Sequence, residues 1–372
     1  MRVPGYEADA FVIGGGPAGL AAAIAARKKG LSVVVADGAE PPIDKPCGEG
    51  LMPETQRALE ALGVEVPVGS GYRFRGIGFV EGHLRVAADF PTGPGIGIRR
   101  PILHELLLRE AERLGVTFLW KTAVRGLGAD GVHLAAKTVR ARWIIGADGS
   151  GSRVRRWSRL ECSVERQRRF ASRRHYCVRP WAEYAEIYWG PRSQAYVTPI
   201  SRDQVCIVVM AERPEHANFD QAWKHWPELR ERLSGAELGS RERGAVTAMH
   251  SLRRVCQGNL ALIGDASGSV DAIAGEGLRL AFRQALSLAS AMASGTLQTY
   301  QNEHRKLRQR PFWMGKLLLQ LGRNSEMRKR VLRMMQRRPE LFARLLALHL
   351  GYAKPEEVLW TTAQLGWRFL AA

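Results

Sequence analysis

The apolar positions of this chain change their period from segment to segment, and the changes mark out its elements. Residues 9–13 (Asp-Ala-Phe-Val-Ile) read as a short buried strand, residues 20–29 as an Ala-rich helix, and residues 31–36 (Leu-Ser-Val-Val-Val-Ala) as the next strand. A strand, a helix and a strand in that order predict a βαβ unit and a parallel sheet. Residues 170–212 alternate and are rich in β-branched and aromatic side chains, with Gly190 and Pro191 as punctuation and 205–210 as a buried strand. This pattern predicts an antiparallel sheet. Residues 72–96 read as a β-hairpin insertion, with Glu81-Gly82 as a two-residue turn between 77–80 and 83–86. Residues 214–236 read as helical. From Leu297 onward the chain is mostly helical, with Met327, Val331, Met334 and Met335 at helical spacing. The expected fold class is α/β, in three parts. A discontinuous Rossmann-like unit takes 1–71, 97–157 and 253–298, an antiparallel sheet takes 72–96 and 158–252, and C-terminal helices take 299–372.

The first turn of the βαβ unit carries chemistry. Gly14-Gly15-Gly16-Pro17-Ala18-Gly19 follows the first strand, and Asp37 ends the second strand 18 residues after Gly19. In a GxGxxG turn, Gly14 permits the tight bend, Gly16 lets a pyrophosphate approach the backbone, and Gly19 lets the helix close on the sheet. The free N–H groups at the helix N-terminus attract the phosphates, and Asp37 is placed to accept hydrogen bonds from a ribose. Strand, helix, second strand and acid together point to a dinucleotide.

Two later segments narrow the choice. Residues 143–155 run Trp-Ile-Ile-Gly-Ala-Asp-Gly-Ser-Gly-Ser-Arg-Val-Arg. Residues 259–266 run Asn-Leu-Ala-Leu-Ile-Gly-Asp-Ala, followed by Gly275-Glu276-Gly277-Leu278. In this order the three motifs resemble those of the FAD-dependent class A flavoprotein monooxygenases, the para-hydroxybenzoate hydroxylase-like group that includes the geranylgeranyl reductase-like flavoproteins. The resemblance covers most of residues 8 to 295. It implies one non-covalent FAD, with NAD(P)H as co-substrate and no separate NADPH domain. Gly14, Gly16, Pro17, Ala18 and Gly19 would hold the phosphates. Arg100 would contact FAD from a helix start, with Arg99 as the alternative one register step away. Asp148 would bond the flavin side of the cofactor, and Gly264-Asp265 the ribityl chain. Gly275, Gly277 and Leu278 would point helix N–H groups at the flavin N1–C2 edge. Asp37 stands where the family usually has Glu, and Ala272 where its hydroxylases have Pro. Residues 45–51 (Lys-Pro-Cys-Gly-Glu-Gly-Leu) look more like the reductase branch. Flavin halogenases carry Trp-x-Trp-x-Ile-Pro, and residues 195–200 here read Ala-Tyr-Val-Thr-Pro-Ile, which disfavours halogenation.

Candidate catalytic groups are Cys47, in a Gly-bracketed turn, and His175 and Tyr196, on strands that would roof the flavin beside Tyr176. An imidazole or phenol there could help deprotonate a substrate hydroxyl. The first expectation is a monooxygenase that hydroxylates a small lipophilic or aromatic substrate. The alternative is a prenyl-type reductase of isolated double bonds. A non-catalytic FAD-binding or electron-transfer module is the reading of a different class.

Charge changes the picture at one end. The net charge is +19, with ten Arg between Arg153 and Arg179 and 13 Lys or Arg between Arg305 and Arg344. Solvated helix faces explain most of such charge, and contact with an anionic membrane surface is the functional alternative. No nucleic-acid motif accompanies it, so no nucleic-acid partner is expected. Five Cys without CxxC spacing fit a reducing cytoplasm, and neither a disulfide framework nor a metal site is expected. No run of 18 uncharged apolar residues occurs, so no transmembrane helix is expected and the localisation reads as cytoplasmic with possible membrane association.

Overall fold

The computed structural model describes residues 7–160 and 166–352. Helices in chain order are α1 (Pro17–Lys28), α2 (Pro53–Leu62), α3 (Arg100–Arg113), α4 (Arg153–Trp157), α5 (Phe219–Ala222), α6 (Pro227–Arg232), α7 (Gly277–Ala293), α8 (Gln298–Arg323), α9 (Ser325–Arg337) and α10 (Pro339–Leu350). The fold is mixed α/β, with parallel and antiparallel sheets in one chain.

A six-stranded sheet carries the Gly-rich turn. Its order is Cys256–Gln257, Leu260–Leu262, Ala141–Gly146, Ala8–Ile13, Val33–Ala36, Thr117–Leu119. All neighbours are parallel except the first pair. Every residue of Ala8–Ile13 is buried, as expected for a central parallel strand covered on both faces. The Ala side chains of α1 leave room for α7 and α3 to pack closely beside it. The three strand ends carrying Gly14, Ala147 and Gly264 lie side by side, because Ala8–Ile13, Ala141–Gly146 and Leu260–Leu262 are parallel neighbours. Three motifs distant in sequence are thus brought to one sheet edge.

An eight-stranded sheet lies over that edge. Arg166–Cys177 pairs with Gln204–Ala211 and with Arg243–Met249, and the order continues through Ser193–Pro199 and Tyr184–Trp189 to the hairpin Gly76–Glu81 and Leu84–Asp89. Its two faces follow the period-two alternation. Val205, Ile207 and Val209 pack under Phe219 and Trp226, while Cys206, Val208 and Met210 face the other way. The hairpin pairs Glu81 with Leu84, so its turn is Gly82-His83, one residue later than the sequence reading placed it. Gly82, with φ +56°, takes the left-handed first turn position. Residues 214–236 form only a 3-10 turn, α5 and α6. Pro227 begins α6 and Trp226 is buried, so packing and proline interrupt the expected helix.

The C-terminal helices α8 to α10 close the remaining side. α9 and α10 lie on the hairpin, where Val331, Leu332, Met335, Phe342 and Leu346 share a core with Phe79, Leu84, Val86 and Ala88. Phe79 stacks on Phe342 with centroids 4.8 Å apart. The helical expectation for residues 353–372 lies outside the described residues. No described helix is long and apolar enough to cross a membrane.

Candidate active site

A cavity of about 540 Å³ runs between the two sheets and under α8 to α10. One end is built by loops of the parallel sheet: Gly16, Pro17 and Ala18, then Gly149 and Ser150, then Gly264 and Asp265, then Gly275 to Leu278. The other end is apolar, with Ile77, Phe79, Ile187, Val208 and Met210 from the large sheet and Met314, Leu318, Met335, Phe342 and Leu346 from the C-terminal helices.

At the loop end the geometry fits a dinucleotide. A Cβ at Gly16 would meet no protein atom within 4 Å, whereas one at Gly19 would sit 1.8 Å from the Gly14 carbonyl oxygen. The first position faces open space, and the second is where α1 closes on the turn. Neither α1 nor α7 has a side-chain cap, so the first N–H groups of both helices keep unused donor capacity at the cavity wall. Gly277 likewise faces open space. Two helix N-termini aimed at one cavity favour a ligand with negative charge at two places, a pyrophosphate and the pyrimidine edge of a reduced flavin.

Buried polar groups hold this frame. His104 on α3 bonds the Gly15 carbonyl at 2.9 Å through Nε2, and burial lowers its pKa, keeping the imidazole neutral. Gly264 N–H donates to Gln284 at 2.8 Å. Arg155 donates to the Ser150 carbonyl at 2.8 Å and to the Ala266 carbonyl at 3.3 Å, tying two of the loops together. Asp265 is open to the cavity yet deep within the protein. Burial raises its carboxyl pKa, and Arg100, Lys45, His250 and Arg155 work against that rise.

Most residues singled out from the sequence reach the cavity. Gly16, Pro17, Ala18, Cys47, Arg100, Tyr196, Gly264, Asp265, Gly275, Gly277 and Leu278 all lie on its wall. Gly14, Gly19 and Asp37 are not on its wall. Asp37 accepts hydrogen bonds from Gly15 N–H at 2.7 Å and Ala39 N–H at 2.8 Å, so it shapes the turn, and both oxygens keep acceptor capacity.

Two residues take other roles. Asp148 does not face the cavity: it accepts from Ser152 Oγ at 2.5 Å, Arg153 N–H at 2.6 Å and Val154 N–H at 3.1 Å. Ser152 is the N-cap of α4, accepting from Arg155 N–H at 2.9 Å, and the Asp148 carboxylate takes the first two N–H groups beside it, where the helix dipole draws it. His175 does not roof the flavin. It is fully buried between Glu49 Oε2 at 2.7 Å and Ser240 Oγ at 2.6 Å. Tyr176, its neighbour, points to the opposite face and packs against Phe219 and Trp223. Tyr196 remains on the wall, but its hydroxyl donates to Gln194 at 3.1 Å, and Gln194 also accepts from Arg169. Burial pushes the phenol pKa up, with Arg169 offsetting only part of the rise.

Glu49 is the residue that sequence reasoning undervalued. It is one of three non-glycine residues at positive φ among those described, with φ +57°. Its buried carboxylate accepts from Arg100 N–H at 2.9 Å, bonds His175, and lies 3.3 Å from Arg173 Nη1. Arg173, fully buried, also grips Asp44 with two bonds of 2.9 Å. Burial alone would raise the Asp44 pKa, but Arg173, Arg243 and Arg99 hold it below the ordinary carboxylate range. The network fixes the turn that presents Cys47 to the cavity, where the thiol lies 3.4 Å from Glu49 N and 3.9 Å from Arg100 Nη1. The sequence signal was an acid bracketed by two glycines. Its partners on residues 173 and 175 lie too far along the chain to be paired without the fold.

The sheet edge, the two helix N-termini and the glycine that faces open space define an FAD-dependent oxidoreductase of the α/β type. The chain belongs to the FAD-binding domain family, which it matches over residues 7–307. It is 30% identical to a menaquinone reductase of Mycobacterium tuberculosis, covering 73% of each chain. A digeranylgeranylglycerophospholipid reductase of Methanococcoides burtonii is 31% identical, over 42% of this chain and 41% of that protein. A ubiquinone hydroxylase of Rhodospirillum rubrum is 27% identical, over 77% of this chain and 72% of that protein. The fold is also that of the flavin-dependent brominase Bmp2, with a TM-score of 0.79 at 20% identity, covering 97% of this chain and 99% of that one.

Proposed function

We propose that this enzyme reduces an isolated carbon–carbon double bond in the isoprenoid chain of a lipid, using FAD that NAD(P)H re-reduces. The observation that carries this reading is the apolar half of the cavity, continuous with the FAD cradle and lined by Ile77, Phe79, Ile187, Met335, Phe342 and Leu346. Hydroxylation of an aromatic ring calls for a base near the ring hydroxyl. His175 is spent on Glu49 and Ser240, and the Tyr196 hydroxyl on Gln194, so neither expected group serves as that base. An alkene needs no such base. The relatives named as menaquinone and digeranylgeranylglycerophospholipid reductases support the same choice.

Reduced flavin, when bound, would supply a hydride to one alkene carbon, and the other carbon needs a proton. Gly16 to Ala18 and the α7 N-terminus would hold the cofactor, and the apolar wall would orient the chain and exclude water. Cys47 is the one thiol on the cavity wall among the described residues, and we assign it as the proton donor. The chemistry balances: NAD(P)H loses a hydride, the alkene gains a hydride and a proton, and the thiol is re-protonated from solvent.

The test is reduction under nitrogen. Anaerobically reduced enzyme mixed with a polyprenyl glycerolipid, which has no quinone to oxidise the flavin, should return to oxidised flavin as one chain double bond gains two hydrogens. Cys47→Ala should slow this step by about a hundredfold or more while leaving reduction by NAD(P)H intact. The second reading, hydroxylation of a lipophilic quinone precursor, is favoured by the ubiquinone hydroxylase relative. A product that gains one oxygen, formed only after an oxygen pulse, would establish it and displace the reductase reading.

A further inference from the structure

The cavity opens to solvent beside α8. Leu317 and Val246 line it and are also 48% and 52% exposed, so they stand at its mouth. One turn before Leu317 on the same outward face, Trp313 is 61% exposed. Five large apolar side chains among the described residues are notably exposed, and three of them fall here. A cluster of this kind marks a surface that is covered by something apolar. Met314 and Leu318, on the inward face of the same helix, line the cavity interior, so α8 carries apolar surface from outside to inside.

The chemistry around the patch says what covers it. Lys316 Nζ lies 4.6 Å and 4.7 Å from the Phe312 and Trp313 ring centroids, holding a cation at the level of the exposed indole. Exposed Arg305 and Lys306 precede the patch on α8, and exposed Arg330, Arg333 and Arg337 follow on α9. Between Arg305 and Arg344 the chain has thirteen Lys or Arg against two Glu. An indole at the rim, flanking cations and an apolar centre form the arrangement that settles at the headgroup level of a bilayer. A protein partner would need complementary acidic rims, whereas an anionic leaflet supplies that charge everywhere, at about 1 kcal/mol per engaged basic residue. The stripe of Met327, Val331, Met334, Met335, Leu341, Phe342, Leu345 and Leu346 that the sequence suggested for the tail faces the protein in large part: Val331, Met335, Leu341, Phe342 and Leu346 are buried. The contact surface is therefore α8, not that stripe.

We propose that the outer face of α8 around Trp313, Lys316 and Leu317, with Val246 opposite, docks on an anionic lipid bilayer, so that the cavity mouth opens directly into the acyl region and the lipid substrate enters without crossing water. The inference rests on the reading of the site as one for a lipid, but its test does not depend on turnover.

Full-length holoenzyme is sedimented with vesicles of phosphatidylcholine alone or mixed with phosphatidylglycerol, at low and high salt. Wild type should pellet with the anionic vesicles and be released by salt. Trp313→Glu/Leu317→Glu should lower the partition coefficient by about tenfold or more, because apolar area is lost and negative charge gained. Val68→Glu, at an exposed position off the cavity, should bind as wild type. Retained FAD absorbance and an unchanged Tm show that each variant is folded. Brominated lipid should quench a component of the fluorescence that is missing in Trp313→Phe. Equal binding of wild type and the double variant, or no binding to anionic vesicles, overturns the proposal. Self-association that Trp313→Glu/Leu317→Glu abolishes, without vesicle binding, also overturns it and assigns the face to a second copy. Trp313→Glu alone, at a residue off the cavity wall, should still turn over detergent-dispersed substrate at the wild-type rate. Failure of wild type there sinks the reductase reading alone, and failure with vesicles sinks the docking surface alone.

Discussion

A side chain added at Gly16 enters the cofactor cradle without touching protein, and one added at Gly19 collides with the chain itself. Gly16→Val should therefore leave the thermal stability of the apoprotein unchanged and abolish FAD binding, giving colourless protein that added FAD does not restore. Gly19→Ala should cost about 1–3 kcal/mol, because its Cβ would lie 1.8 Å from the Gly14 carbonyl and α1 must shift. Chemical denaturation and FAD titration separate the two. Glycines of this kind are legible in sequence because their constraint is local. His175 was not, since an imidazole takes the strongest partner the fold offers and that partner is 126 residues away, whereas the partners of Asp148 lie within six residues and a structural role in its turn was readable beside the flavin one. His304 shows the same dependence on context. It is buried on α8 against Ser267 at 2.8 Å, and burial, with Arg308 nearby, lowers its pKa from 6.5 to about 3. The folded state keeps it neutral while the unfolded chain takes up a proton below pH 6.5. Its contribution is thus complete above that pH and is lost as the pH falls toward 3, with a slope approaching about 1.4 kcal/mol per pH unit. In His304→Gln, unfolding free energies measured across that window should have a shallower pH slope than wild type by this amount. Equal slopes would show that His304 is not the group.

At the scale of elements, pattern located the strands and the long helices but not how they are joined. The βαβ unit, three of the four strands between 166 and 211 and the helices after 297 follow from period and composition, because each buries one face. The hairpin turn shifted by one residue because Gly82 takes the left-handed position at the first turn residue, not the second. The anchoring of α9 could not be read at all. Arg328, nearly fully buried, donates to both oxygens of Glu81 at 2.9 Å and 2.6 Å and lies over the Trp189 ring, fixing α9 to the hairpin turn 247 residues earlier. Arg328→Ala should destabilise by about 3 kcal/mol, because Glu81 is left with an unpaired, largely buried charge. Arg328→Met combined with Glu81→Leu should recover most of that loss, since no charge remains to be desolvated. Guanidine unfolding of the single and double variants checks both, and a double variant no better than Arg328→Ala would show that packing, not charge, sets the cost.

At the scale of the molecule, the cradle that would take FAD is built from segments that the chain itself does not join. The wall of this cradle comes from residues 16–18, 149–150 and 264–265, just past the ends of strands that pair side by side in the parallel sheet, and from 275–278 at the start of α7. The three sequence motifs made these segments recognisable, but the apolar half of the cavity had no motif. It depends on where α8 to α10 settle on the large sheet, and many apolar helices would satisfy the same pattern. A cofactor held by four separated segments binds the assembled fold and not the unfolded chain, so it acts as a ligand of folding. Free FAD at about a hundred times its Kd should add about 2.7 kcal/mol, which for a chain of 372 residues raises Tm by about 3 °C. Gly16→Val should show the apo Tm at every FAD concentration. Arg155→Ala, which unties the Ser150 and Ala266 loops without touching the cavity wall, should keep a shift but need more FAD to reach it. If Arg155→Ala follows the wild-type curve, the loops are held by the sheet alone and the guanidinium brace adds nothing to the site.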